Sequence, residues 1–178
     1  MSASLPHFTY HPDPVRSGAV RAGGEICVSC GQGRGFVYIG PIYSLRDVTE
    51  AVCPWCIADG SAAAKLDISF ADASPLQMEG VPQDIVDEVH RRTPSFESWE
   101  QERWLAHCND ACEFHGDATR EDLLALQHEE KMDFLVEYLL SEPQWRHLVA
   151  HYVPRGDQSI YKFVCRHCRT MLLGMDYR

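Results

Sequence analysis

The sequence has no run of about eighteen apolar residues, which excludes a membrane-spanning helix. The opening stretch MSASLPHFTYHPDP has neither a basic start nor an apolar core, so no secretory leader is expected and the cytoplasm is the expected location. Basic charge is scarce: 16 Lys and Arg stand against 26 Asp and Glu, a net of −10. Such a balance repels phosphate and argues against general nucleic-acid binding. No Gly-rich phosphate loop, activated-nucleophile pattern or paired-carboxylate signature is present, so the sequence offers no complete catalytic signature.

Cysteine, by contrast, is plentiful. There are eight, and a reducing compartment should keep them as thiols. They fall into pairs: Cys27 and Cys30, Cys53 and Cys56, Cys108 and Cys112, Cys165 and Cys168. Two intervening residues allow a tight turn to aim both sulfurs at one cation, and residues four apart share one face of a helix. Linear pairing gives two zinc ions. One is held by Cys27, Cys30, Cys53 and Cys56, the other by Cys108, Cys112, Cys165 and Cys168. The 22 residues between Cys30 and Cys53 suit a zinc ribbon. Crossed pairings stay open, and His107 or His115 is a possible substitute for a cysteine at the second site. Cys53-Pro-Trp-Cys56 also matches the redox motif of thioredoxin-like proteins, but four spaced pairs favour metal over redox chemistry.

The expected architecture is α+β: a zinc-ribbon-like half over residues 1–75, then a helical half over 76–178 closed by a zinc-knuckle β-hairpin. Pro6, Pro12 and Pro14 suggest an extended N-terminal arm, and His7, His11 and Asp13 within it are either a minor ligand group or a pin holding the arm to the body. Residues 35–39 read as a strand, Ala62 to Leu66 as a short helix, and Ala71 to Pro75 as a loop between the halves. Capping-box patterns at Ser44/Asp47, Ser98/Gln101 and Thr119/Asp122 each predict a helix start. The second would carry Trp104 and Leu105 to Cys108. Pro82 opens a helix that must stop near Thr93, before Pro94. Met132, Leu135, Val136, Leu139 and Leu140 predict an apolar helical stripe, and Trp145, Leu148 and Val149 a further short helix. Tyr161 to Met175 reads as strand, knuckle, strand, with Arg169 where a knuckle commonly has glycine.

Charge is uneven along the chain. Residues 79–142 hold 17 acidic and 5 basic side chains, a net of −12, whereas residues 143–178 hold 2 acidic and 6 basic. A basic protein partner docking on the acidic helices is the expectation, with Glu129, Glu130 and Asp133 as contact residues outside the stripe. Solubility alone is the competing explanation.

Several blocks resemble the CbrC family of bacterial proteins. They are Leu5 to Pro14, Cys27-Val28-Ser29-Cys30 with Arg34 to Tyr38, Gly40-Pro41-Ile42-Tyr43, and Cys53 to Ala63. Arg92 to Phe96, Trp104 to Cys112 and the hairpin around Cys165 and Cys168 extend the likeness over nearly the whole chain. That family is named for tolerance to a nuclease colicin. The resemblance therefore implies a toxin-tolerance or immunity protein that binds a basic toxin domain. A zinc-stabilised adaptor or stress-response protein is the alternative. A zinc hydrolase is less favoured, because four complete cysteine pairs leave no open coordination position.

Overall fold

A computed structural model describes residues 4–45 and 51–177. It is a mixed α+β molecule of short elements around small antiparallel sheets. In the N-terminal half β1 (Val20–Ala22) pairs with β2 (Phe36–Tyr38), and β3 (Tyr43–Ser44) with β4 (Ile68–Ser69). Helices α1 (Pro54–Ala58) and α2 (Ser61–Leu66) lie between β3 and β4 in sequence. Then come α3 (Ser74–Met78) and α4 (Gln83–Arg92). Strands β5 (Ala106–His107) and β6 (Asp110–Ala111) make a minimal hairpin. The largest sheet has β8 (Gln158–Val164) at its centre, flanked by β7 (Glu113–Asp117) and β9 (Met171–Tyr177). Three helices fill the connection from β7 to β8: α5 (Arg120–Ala125), α6 (His128–Glu137) and α7 (Glu142–His151).

These elements bury three apolar clusters. The first gathers Val20, Tyr38, Val52, Ile57 and Phe70 around the N-terminal cysteines. The second is aromatic: Phe96, Trp104, Phe114 and Phe163 pack with Val86 and Val89 of α4. The third lies between the helices α5 to α7 and the large sheet, with Leu123, Phe134, Trp145, Leu148 and Ile160. Hydrogen bonds cross residue 75: the Phe70 N–H donates to the His90 carbonyl at 2.8 Å, and the Asp72 N–H to Glu102 at 2.9 Å. Arg92 donates twice to the Ala58 carbonyl, at 3.0 and 2.8 Å.

Residues 4–19 form no regular element, yet they are no loose arm. Phe8 belongs to the first cluster and Tyr10 to the second. The Tyr10 hydroxyl donates to Asp110 at 2.9 Å, and the Phe114 N–H donates to the Tyr10 carbonyl at 2.8 Å. Strand β7 bends where its register with β8 shifts, at His115 and Gly116. Gly116 has φ +88° there, and Ser17 packs against it. A bulge that needs left-handed backbone beside an incoming chain suits glycine.

Two expected helical features differ in the structure. No helix follows Ser98. That hydroxyl donates to the Glu100 carbonyl, Gln101 reaches Asp72, and the chain arrives at Cys108 along β5. Trp104 decides this: its side chain is 1% exposed among aromatic rings and its indole N–H bonds to the Cys112 carbonyl, a tertiary demand that overrides a local cap. The stripe also breaks up. Phe134 and Leu135 are the buried residues of α6, whereas Val136 is 69% and Leu139 89% exposed. The helix ends at Glu137, and Leu139 turns left-handed at φ 52°. The Thr119/Asp122 box does open α5. Asp47 lies outside the described residues, and with it the Ser44/Asp47 pattern.

Candidate metal centres

The first centre joins a knuckle to a helix start. In the knuckle the Cys27 N–H donates to the Gln32 carbonyl at 3.0 Å, and the Gly31 N–H returns to the Cys27 carbonyl at 2.7 Å. Gly31 has φ +70°, the left-handed backbone this closure needs. Cys53 and Cys56 do not sit on a second hairpin, as a ribbon would have them. Cys53 is the N-cap of α1, Pro54 follows at the first turn, and Cys56 lies beside it one turn on. The four sulfurs lie within 4.8 Å of one another, with Cys30 and Cys53 3.9 Å apart. Burial pushes the Cys53 thiol pKa up, the reverse of what a nucleophilic first cysteine of a redox pair requires. Burial acts the same way on Cys27, but backbone N–H groups of Cys53, Cys30 and Ser29 outweigh it and bring that thiol down to about 7.

At the second centre a two-residue turn replaces the expected helix. Cys108 and Asn109 have φ 53° and 58°, and His107 pairs with Asp110 across them. Two left-handed central residues define the tight hairpin turn that matches strand twist. Facing it, the turn between β8 and β9 repeats the first knuckle: the Cys165 N–H donates to the Thr170 carbonyl at 2.9 Å, and the Arg169 N–H to the Cys165 carbonyl at 3.1 Å. Arg169 takes φ 64° and so does what Gly31 does in the first knuckle. The loop closes without glycine.

These two turns bring together His107, Cys108, Cys165 and Cys168, with donor atoms within 4.8 Å of one another. Nδ1 of His107 is 3.2 Å from the Cys108 sulfur and 3.3 Å from that of Cys168, and the two sulfurs are 3.8 Å apart. The Cys108 thiol is raised to about 11 by its bond with Cys168, and Cys168 is lowered to about 6 by the hydroxyl and N–H of Thr170.

Cys112 is not in this group. It is 0% exposed in the aromatic cluster, and burial pushes its thiol up to about 12. Residues four apart share a face on a helix, not around a hairpin turn, so the spacing that seemed to pair Cys108 with Cys112 separates them. The imidazole of His107 stands with the three sulfurs instead. His115 stays apart, with Nε2 3.2 Å from Glu113. The sequence did carry a hint: asparagine tolerates left-handed backbone, and Asn109 sits where a two-residue loop would need it.

Asp110 carries no signal of its own in the sequence. It is 4% exposed and accepts from Tyr10, from Arg166 at 3.0 Å and from His167 at 2.8 Å. One buried carboxylate thereby ties β6 to the knuckle that supplies Cys165 and Cys168, the supporting role that groups just behind metal ligands play.

Of the residues expected to meet a partner, Glu129 and Asp133 are exposed on α6. Glu130 is committed elsewhere: it accepts from the Gln127 N–H at 2.8 Å, capping its own helix, and from the Met171 N–H at 3.3 Å. A cleft of about 240 Å³ lies between α6 and β9, with Asp133, Glu137 and Trp104 on its walls and His107 and Thr170 at the second centre's side. His7, His11 and Asp13 form no ligand group. His11 is buried against Pro94 and Ser17, and Asp13 pairs with Arg16.

The model of an uncharacterised protein family, UPF0167, matches residues 5–177. The chain belongs to the UPF0167 family. A UPF0167 protein of Pseudomonas aeruginosa is 46% identical over 178 residues, covering 99% of both chains. UPF0167 proteins of Mycobacterium bovis and Mycobacterium tuberculosis are each 52% identical over 185 residues, covering 97% of this chain and 94% of theirs. These matches overturn the CbrC assignment. Four of the seven blocks behind that resemblance are built around cysteine pairs, which are common to metal knuckles of many kinds. No solved structure matches this UPF0167 chain. Among its described residues, no helix is long and apolar enough to cross a membrane.

Proposed function

We propose that this UPF0167 protein is a non-catalytic, zinc-stabilised binding protein. Cys27, Cys30, Cys53 and Cys56 would hold one zinc ion, and His107, Cys108, Cys165 and Cys168 the other. The observation that carries this reading is the separation of the donors. With Zn–S near 2.3 Å, the edge of a ZnS4 tetrahedron is about 3.8 Å. The sulfur separations of 3.9 and 3.8 Å agree with that edge and are nearly twice a disulfide bond. All eight cysteines are free thiols. A thiolate set with one imidazole suits zinc better than calcium or magnesium, which take oxygen ligands. Four donors at each centre leave no open position for substrate or water, which weighs against a zinc hydrolase. The role of the metal here is to cross-link turns that have little core of their own.

For a partner, the reading is a basic protein segment meeting α6 at Glu129 and Asp133, beside the cleft that borders the second centre. A bacterial toxin was the specific partner implied by the CbrC resemblance, and that implication goes with it. An adaptor role is what remains.

Metal analysis with X-ray absorption tests the zinc reading. Two zinc ions per chain are expected, with an average shell of sulfur plus a minor nitrogen contribution. His107→Ala should lose one ion, and Cys112→Ala should keep both. Disulfides in freshly reduced protein, iron in place of zinc, or loss of an ion from Cys112→Ala would each overturn the ligand set.

A further inference from the structure

The two centres differ by one donor, His107 standing where the first has a fourth cysteine, and they differ in exposure. Cys27, Cys53 and Cys56 are 1–2% exposed inside the first apolar cluster, and Cys30 is half-buried against it. Cys108 and Cys168 are exposed at the tips of two turns, and only Cys165 of that group is buried. Oxidation of cysteine follows thiolate character and access, and metal-bound sulfur is thiolate at both centres. With thiolates at both, access decides which sulfurs an oxidant meets first.

Resting on the zinc reading above, we propose that the second centre is an oxidant-responsive site: peroxide joins Cys108 to Cys168 as a disulfide and expels the metal, while the first centre stays loaded. The sulfurs stand 3.8 Å apart, so about 1.8 Å of travel brings them to a disulfide bond. Neither residue lies within a strand, so turn motion can supply that travel.

The chemistry balances. One thiolate attacks a peroxide oxygen, the O–O bond breaks, and a sulfenic acid forms with release of hydroxide. The other thiolate attacks the sulfenic sulfur and displaces a second hydroxide. Two protons from solvent turn both hydroxides to water. Two thiolates lose two electrons, peroxide gains them, and zinc leaves as the unchanged dication once two of its four ligands are gone. The surroundings survive: Trp104, Phe114 and Phe163 pack beneath the hairpin, and Asp110 still binds Arg166. What changes is the wall of the α6 cleft, because His107 and Thr170 both line it and both contact the Cys168 sulfur that the disulfide displaces.

Zinc content is measured first, and fewer than two ions sinks the zinc reading and this inference together. Fully loaded protein is then treated with hydrogen peroxide, with zinc release followed by a chromogenic chelator and cross-links mapped by mass spectrometry without reduction. One equivalent should leave at least about tenfold faster than the second, with a Cys108–Cys168 disulfide, and thiol reductant plus zinc should restore it. Cys112→Ala, which lies outside the centre, should release at the parent rate. Two ions leaving together, release starting from the N-terminal centre, or a first disulfide involving Cys112 would overturn the proposal and leave the zinc reading standing.

Discussion

His11 carries no solvent exposure, and both its ring nitrogens are engaged. A carbonyl can only accept, so Nδ1–H donates to Pro94 at 2.7 Å and Nε2 faces the Ser17 hydroxyl at 2.7 Å. Phe114 meets the ring edge-on, 4.9 Å between centroids. Burial strips water from the imidazolium and lowers the pKa from 6.5 to about 4. Between those values the unfolded chain takes up a proton that the folded chain refuses. The contribution of neutral His11 is therefore intact above pH 6.5 and is lost as pH falls toward 4. His11→Gln should be less stable than the parent near neutrality, with the gap closing as pH drops. Chemical denaturation of both proteins across that range measures it, and a constant gap would refute the assignment. Residues of this kind are hard to read in a sequence. The cysteines announce themselves through chemistry that few other residues offer, whereas His107 stands with three cysteines in place of Cys112 because Trp104 packs against Phe96, Phe114 and Phe163 and draws its segment into a hairpin.

Devices that close within a few residues were the most legible of the secondary elements. Thr119 and Asp122 cap α5, and Pro82 stands immediately before α4, which ends at Arg92 ahead of Pro94. Each depends on neighbours three or four positions away, so spacing suffices. The same signature at Ser98 failed because distant groups, Asp72 and Asp176, claim Gln101 and the backbone of Trp99. The two knuckles give a quantitative test at this scale. Gly31→Ala should cost about 1–2 kcal/mol, since an added Cβ resists left-handed backbone. Arg169→Gly should be close to neutral: strain relief of similar size is offset by the greater freedom glycine gives the unfolded chain. Zinc-loaded melting curves of both variants decide it. Equal, large losses would mean that Arg169 matters for its contact with Glu113 rather than for its backbone.

For the whole molecule, composition foretold the acidic surface but not which carboxylates are free to use it. Glu130 caps a helix and holds β9, whereas Glu129 and Asp133 stay exposed. A double reversal, Glu129→Lys with Asp133→Lys, should weaken binding of an arginine-rich test peptide several-fold at low salt and leave zinc content and melting unchanged. The parent's affinity should fall as salt rises, because exposed charges are screened beyond about 10 Å at 0.1 M. Unchanged affinity in the variant would remove α6 from the partner surface. The threading of residues 8–11 between two clusters has a consequence in time. Tyr10 waits for Asp110, 100 residues later in the chain. At roughly 5–20 residues per second, synthesis delivers that partner about 5–20 s afterwards. Until then Tyr10 rides on the nascent chain with the second cluster unmade, while the partners of Phe8 are complete at Phe70. The four cysteines of the first candidate centre are complete at Cys56, so on the zinc reading metal could enter there while the ribosome has yet to make the hairpin that carries His107. If zinc fills both centres as proposed, loading is expected to follow the order in which the chain is written.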